Sequence, residues 1–228
     1  MKKGILTLVI VGVIAIAIAV VVPPVYRLLT DEGLQTASID EGTGEAATVG
    51  LDGHWDVVRG QGANISQAGY TFDEVLPGQE KSTSGRTEDV TGSLLVADGV
   101  LEEGKVTIDV ASITSDIEKR DIHVRDNILH ADKYPEATFS ITEPVDLSSL
   151  PDDGTVDTVT ATGELTMHGT TKEVEAELRV LRTGDNVIVE GQVPVEREAY
   201  GIVSPEFVAS QIAEEGTVDL LLVFGQQD

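Results

Sequence analysis

Cysteine is absent from the 228 residues. That excludes a disulfide scaffold, thiol chemistry and a lipid-modified N-terminal cysteine. Basic residues are scarce: 15 Lys and Arg stand against 40 Asp and Glu, a formal net charge of −25. A phosphate backbone needs a cationic footprint, so nucleic acid is excluded as a partner. The same imbalance opposes adsorption to an anionic membrane surface and keeps an exposed domain soluble. Aromatics make up only 4 % of the chain, so Val, Ile, Leu and Ala must supply most of the core. Motifs that carry chemistry are missing too. There is no G-x-S-x-G elbow, no His-x-x-x-His pair, and no glycine-rich phosphate loop between a strand and a helix. The Pro-Asp-Asp-Gly run at 151–154 lacks the further acids and terminal Glu of a calcium loop and reads as a turn. The pattern is that of a binding or structural protein, not an enzyme, and no cofactor is called for.

What the sequence does have begins with an apolar run. Residues 5–22 carry no charge and are followed by Pro23 and Pro24. Eighteen residues of helix reach about 27 Å, close to the ~30 Å hydrocarbon thickness of a bilayer. The sequence therefore predicts a single transmembrane anchor over 1–24. A cleaved signal peptide, cut near Ala15, Ala17 or Ala19, is the alternative and would give a secreted protein. Lys2 and Lys3 set the N-terminus in the cytoplasm by the positive-inside bias, leaving the C-terminal domain extracytoplasmic. Residues 25–52 are polar, acidic and rich in Gly and Thr, the composition of a flexible tether. A folded domain is expected over 53–228.

In that domain the periodicity is two. Val174, Ala176, Leu178 and Val180 alternate with Glu173, Glu175, Glu177 and Arg179, which gives a strand with one dry and one wet face. Its expected partner is 161–167, joined through His168, Gly169, Thr170 and Thr171. Val106, Ile108 and Val110 form a second such set, after the tight-turn signal Asp98-Gly99. Val187, Val189, Val193 and Val195 form a third, and Val218, Leu220, Leu222 and Phe224 a fourth. Eight or nine strands with one buried face must pack as two sheets or close on themselves, and periodicity leaves both open.

One stretch interrupts the strands. Over residues 111–139, Ser115 and Glu118 have capping-box spacing. Asp116/Arg120 and Asp121/Arg125 have the order of helical ion pairs. Ile117, Val124, Ile128 and Leu129 can share one helix face. Tyr134-Pro135 ends the helix, since the residue before proline is pushed towards extended geometry.

The same residues carry a resemblance. Ala-Ser-Ile-x-Ser at 111–115, Arg120-Asp121-x-His123, Ile128-Leu129 and Tyr134-Pro135-x-Ala-Thr-Phe139 are similar to a signature of the YceI-like family. Leu165-Thr166-Met167-His168-Gly169-Thr170-Thr171-Lys172 is similar to its second signature. In place of the short link the family uses after its first strand at Trp55-Asp56-Val57, this chain has a polar run at 80–86. The resemblance implies an all-β fold: an extended antiparallel lipocalin-like β-barrel whose apolar interior holds polyisoprenoids or other long amphiphilic lipids. A bound isoprenoid lipid or quinone is thus the implied ligand, and the membrane, reached through the anchor, the second partner. By strand parity and motif position the expected cavity wall is Trp55, Ile128, Leu129, Phe139, Leu165 and Met167. Each of these is equally at home as an ordinary core residue, and a filled barrel acting as an interaction module of the cell envelope is the rival reading. Arg120, Asp121, His123, Tyr134, Pro135, His168 and Gly169 are expected to hold the helical segment on the barrel. His123 and His130 lie near one helix face beside Asp121 and Asp126, but they supply at most two metal ligands, and no metal is expected.

Overall fold

The alternating segments form strands, joined for the most part by short turns. The computed structural model describes residues 33–76, 79–203 and 211–227. In chain order the strands are β1 (Gly53–Val58), β2 (Gly60–Gln61), β3 (Asn64–Ile65), β4 (Gln67–Leu76), β5 (Gln79–Thr87), β6 (Val90–Ala97) and β7 (Val100–Asp109). A short helix, α1 (Glu118–His123), runs into a π-helical turn over Val124–Ile128. Then come β8 (Glu136–Ile141), β9 (Val145–Asp146), β10 (Val156–Met167), β11 (Thr170–Thr183), β12 (Asn186–Glu196) and β13 (Gln211–Gln226).

The sheet closes on itself. Every neighbouring pair is antiparallel in the order β1, β6, β7, β8, β10, β11, β12, β13, and β13 returns to β1. Closure settles the choice between sandwich and barrel in favour of an eight-stranded barrel. An eight-stranded barrel is just wide enough to hold a small ligand.

Two of the staves are composite. β1 and β4 lie end to end along β13, with Val58 opposite Val223 and Gln67 opposite Leu221. Residues 59–66 leave the ladder as a small excursion carrying the β2–β3 pair. Ser66 closes the gap: its hydroxyl donates to Val58 O (2.6 Å) and accepts from Val223 N (2.8 Å). β5 pairs with β4, and β6 pairs with β1. The polar run at 80–86 is therefore not a link but most of strand β5. Its sequence hides this because Ser, Thr and Lys side chains give no hydrophobic alternation to read. Where β7 has ended, an antiparallel bridge between Arg86 and Thr114 continues the wall.

The interior is aliphatic as composition requires, with Trp55 and Phe224 among its largest buried side chains. A second, smaller apolar cluster sits on the outer side: Leu181, Ile188, Leu221 and Val223, capped by Ile39. That cap comes from the described part of the stretch 25–52, which its composition reads as a flexible tether. From Gly33 onward the chain is laid across the barrel: Gly33 bridges to Ser84, Ala37 N donates to Gln67 Oε1 (3.2 Å), and Ile39 N donates to Glu190 Oε2 (2.9 Å). It ends against the β11–β12 turn, where Thr48 N donates to Gly184 O (2.6 Å). Composition missed this strap because its attachment is mostly backbone hydrogen bonds and one buried isoleucine. The predicted anchor at 1–24 lies outside the described residues. Among the described residues no helix is long and apolar enough to cross a membrane.

The helical segment is shorter than predicted. Ile117, not Ser115, is the N-cap residue, and it makes no side-chain capping bond. Ser115 instead turns towards Asp121: its N (2.7 Å) and its Oγ (2.5 Å) both donate to Asp121 Oδ1. Arg125, expected to pair with Asp121, donates to Ile113 O (2.9 Å). The buried carboxylate of Asp121 takes neutral donors from the preceding loop, which leaves Arg125 to hold the loop before α1. Only Asp116 and Arg120 pair as predicted, at 2.6 Å.

Candidate functional site

The barrel is hollow. A cavity of about 300 Å³ lies between the strands and the helical segment. Its apolar wall includes Phe72, Val124, Ile128, Leu129, Met167 and Val218. Beyond it lies a second space of about 100 Å³, walled by Trp55, Leu94, Phe139, Leu165, Leu178 and Phe224 among others. Ile108 and Val218 border both spaces and form the partition between them.

All six residues expected in the wall face these two spaces. Ile128, Leu129 and Met167 are in the larger, and Trp55, Phe139 and Leu165 in the smaller. Trp55 is also tied down by its indole, whose Nε1 donates to Leu51 O (2.8 Å). Phe139 lies against the wall rather than across the lumen, because the neighbouring strand presents Gly163 there. A Cβ at that position would stand 2.6 Å from Phe139 Cζ.

The two signature segments meet at the larger space. The hairpin turn between β10 and β11 carries His168 (φ 50) and Gly169 (φ 73), the left-handed pair of a two-residue hairpin. The ring of Tyr134 lies 4.4 Å from that of His168, and a Cβ on Gly169 would come within 2.7 Å of Tyr134 Cε1. Glycine is thus needed twice at 169, for the turn and for the ring against it. The ring of His130 also lies near this contact, 5.5 Å from that of His168 and tilted by 30°. His168 Nδ1 faces Tyr200 O at 3.3 Å, so this nitrogen carries the proton. Burial pushes the His168 imidazole below its ordinary value, which favours its neutral form. The carbonyl of Pro135 accepts from Val110 N (2.8 Å), fastening the end of the helical segment to β7's continuation.

Among the described residues the polar groups gather on the larger space, while the wall of the smaller is apolar apart from Lys105. Arg120, His123, Tyr134 and His168 line the larger, as do Tyr70, Glu74 and Arg197. The sequence did not single out the last three. Tyr70 and Phe72 face inward from β4, where the polar flanks obscured the alternation. Arg197 comes from the turn after β12; its guanidinium donates to Ala213 O (3.1 Å), Ile202 O (3.1 Å) and Ile212 O (3.5 Å). No apolar pattern could have marked it. Desolvation pushes the Tyr70 phenol up to about 12, against the pull of the Arg120 charge. The histidines do not converge on an ion: His123 faces Asn127 at 3.2 Å while the ring of His130 lies near that of His168. Among the described residues no three His, Asp or Glu side chains are placed to hold a metal.

A closed eight-stranded barrel with these two signatures docked on each other matches a known domain. The YceI-like domain is matched over residues 63–224. This chain belongs to the YceI-like family. A UPF0312 protein of Vibrio parahaemolyticus is 30 % identical over 125 residues, 54 % of this chain and 57 % of that protein. Protein YceI of Shigella flexneri is 38 % identical over 82 residues, 36 % of this chain and 39 % of that protein. The chain thus spans roughly half the length, or less, of the curated relatives it matches. Among solved structures, a polyisoprenoid binding domain from Saccharophagus degradans aligns with a TM-score of 0.57 at 20 % identity, covering 71 % of this chain and 98 % of that one. BcnA of Burkholderia cenocepacia aligns with a TM-score of 0.52 at 22 % identity, over 68 % of this chain and 95 % of that one. At these identities the structures share the fold. In the YceI-like barrel described above, the region matching the family begins only at residue 63, so β1 and the strap before it lie outside the match.

Proposed function

We propose that this protein binds an isoprenoid-type or other long-chain amphiphilic lipid, such as a quinone, in the lumen of its barrel and sequesters or carries it without chemical change. One observation carries the reading: the lumen is a largely apolar space of about 300 Å³ that carries a few polar groups and adjoins a smaller space with an almost wholly apolar wall. Ligand sites are usually concave, apolar and supplied with a few polar groups, from ~300 Å³ upward. Each CH₂ moved from water into such a space contributes ~0.8 kcal/mol. The Saccharophagus degradans domain of the same fold is described as binding polyisoprenoid, which supports this class of ligand. The apolar run at 5–22 and Lys2 and Lys3 support a place for the domain at the outer face of a cell membrane, tethered by residues 1–24.

Native mass spectrometry of the full chain, gently extracted, tests the binding. An adduct of lipid mass, exchangeable for added prenols or quinones, is expected. A ligand-free barrel that ignores both would refute the reading. Fractionation tests the location: the protein should stay in the membrane pellet with Met1 or Lys2 intact, whereas a mature N-terminus near residue 20 would refute the anchor.

A further inference from the structure

The two spaces of the lumen meet at one level, and the residues there decide how a tail passes from one to the other; the inference rests on the lipid-binding reading above. Among the described residues, Ile108 and Val218 alone border both spaces, and both are buried. Ile108 is on β7 and Val218 on β13. Two staves, β1 and β6, stand between these in the ring, so the side chains enter the lumen from different sides.

The two are hemmed in unequally. Val218 is opposite Val193 on one neighbouring strand and Tyr70 on the other. Valine is stiff at its one rotatable bond, and a branched and an aromatic neighbour hold it further. Ile108 is opposite Val90 on one side and Ala137 on the other. Its terminal methyl rides on a second rotatable bond, and Ala137, which lines the larger space, puts only a methyl group beside it. Val218 is therefore the fixed stop and Ile108 the leaf with room to swing.

The chemistry of the walls gives this constriction a use. A polar head stays with Tyr70, Arg120 and His168 on the larger space, whereas the smaller offers a tail a wall that is apolar apart from Lys105. An apolar cavity of ~150 Å³ takes up benzene, a scale of ~25 Å³ per carbon. The larger space of about 300 Å³ thus holds a ten-carbon prenyl tail, ~250 Å³ on that scale, but not one of fifteen carbons, ~375 Å³. To stay out of water, the longer tail has to continue past Ile108 and Val218.

We propose that Ile108 and Val218 form an internal gate, with Ile108 as its moving leaf, that admits isoprenoid tails longer than the larger space to an inner tail site beside Trp55. A short tail binds without opening the gate. A long one enters in two steps and leaves slowly, so the gate converts tail length into residence time.

The chain carries a single tryptophan, Trp55, and it lines the smaller space, a built-in reporter of occupancy there. Stopped-flow emission of the full chain is followed with geraniol, a ten-carbon alcohol, and farnesol, one of fifteen. Displacement of a lumen-bound dye, measured in parallel, reports binding itself. Both alcohols should displace the dye. Farnesol alone should change Trp55 emission, in a slower phase whose rate levels off at high concentration. Ile108→Val takes one CH₂ from the leaf and should raise that limiting rate roughly four-fold, the rate equivalent of one buried CH₂. Ala137→Val fills the room the leaf swings into and should lower it. Each variant is read as the ratio of its Trp55 phase to its dye phase, so that a general change in the site cancels. If Ala137→Val melts early, Ile108→Val decides alone. Dye displacement by farnesol with Trp55 silent, an equal Trp55 response to geraniol, or a limiting rate that Ile108→Val does not move overturns the gate and leaves lipid binding standing. No displacement by either alcohol removes both.

Discussion

The ring of Phe139 occupies the space that a side chain on Gly163 would fill: a Cβ there would lie 2.6 Å from Phe139 Cζ and 2.5 Å from Ser140 O. The two residues are on paired strands β8 and β10, and their contact turns a bulky phenyl group along the wall instead of across the lumen. Gly163→Ala should force ring and backbone apart and cost about 1–3 kcal/mol, the usual scale of overpacking. A thermal melt of the variant checks it. An unchanged melting temperature would mean that the ring is free to move and the lumen not shaped by this contact.

Ser66 stands in for a missing piece of ladder. Its hydroxyl joins Val58 O to Val223 N where the chain leaves the sheet, and the residue is 3 % exposed. Ser66→Ala leaves both groups buried without this partner, a loss of about 1–3 kcal/mol. Urea unfolding measures it, with the denaturant slope unchanged if only the native state is affected. Hydrogen exchange at Val223 should rise in the variant; an amide as protected as in the parent would show that the seam holds without the serine.

The strap over residues 33–48 is part of the fold, not a spacer. Ile39 is 7 % exposed against Leu181, Ile188, Leu221 and Val223. Ile39→Ala should cost about 2–5 kcal/mol, the range for such truncations in a core. Because the strap packs on the outer face, the same variant should leave ligand affinity in place. A stability equal to the parent's would return the segment to the status of a tether.

Tyr70 should be the late tyrosine in an alkaline titration. Its phenol is pushed up to about 12 by desolvation, from 10.0 for an ordinary tyrosine. A raised folded value means the neutral phenol is favoured in the native state, so its contribution to stability is complete below pH 10 and is lost as pH rises towards 12. Ultraviolet difference absorbance of the parent against Tyr70→Phe should show this residue ionising last or only on unfolding. A bound ligand should delay it further, since filling the space excludes more water.

His168 gives the opposite dependence. Burial lowers its folded value below the ordinary 6.5, so the unfolded chain binds the proton more readily. Its contribution is present above pH 6.5 and declines as pH falls through the lower folded value. The melting temperature of His168→Gln, measured from pH 7.5 to 5, should fall less than that of the parent. A constant gap between the two would remove the titration and leave only the packing against Tyr134.

By itself the sequence determined the class of wall. Aliphatic alternation over Val174, Ala176, Leu178 and Val180, the Asp98-Gly99 and His168-Gly169 turns, and the two signatures named the strands, the family and six residues of the interior. These are local properties, since each depends on which face of a strand is apolar or on which residues tolerate a left-handed turn. Other features are relations between residues far apart in the chain, and only the tertiary structure decided them. Alternation says that Phe139 points inward but not that Gly163 is beside it, so it cannot tell a hollow barrel from a plugged one. It misses strand β5, whose Ser, Thr and Lys side chains carry no hydrophobic period and whose pairing comes from the backbone of β4. It misread Ser115 as a cap for Glu118's helix because the carboxylate it serves is the buried one of Asp121, six residues on instead of three. The strap, the Ser66 seam and the docking of Tyr134 on His168 each join segments between about 30 and 160 residues apart, and such contacts exist only once the barrel has closed.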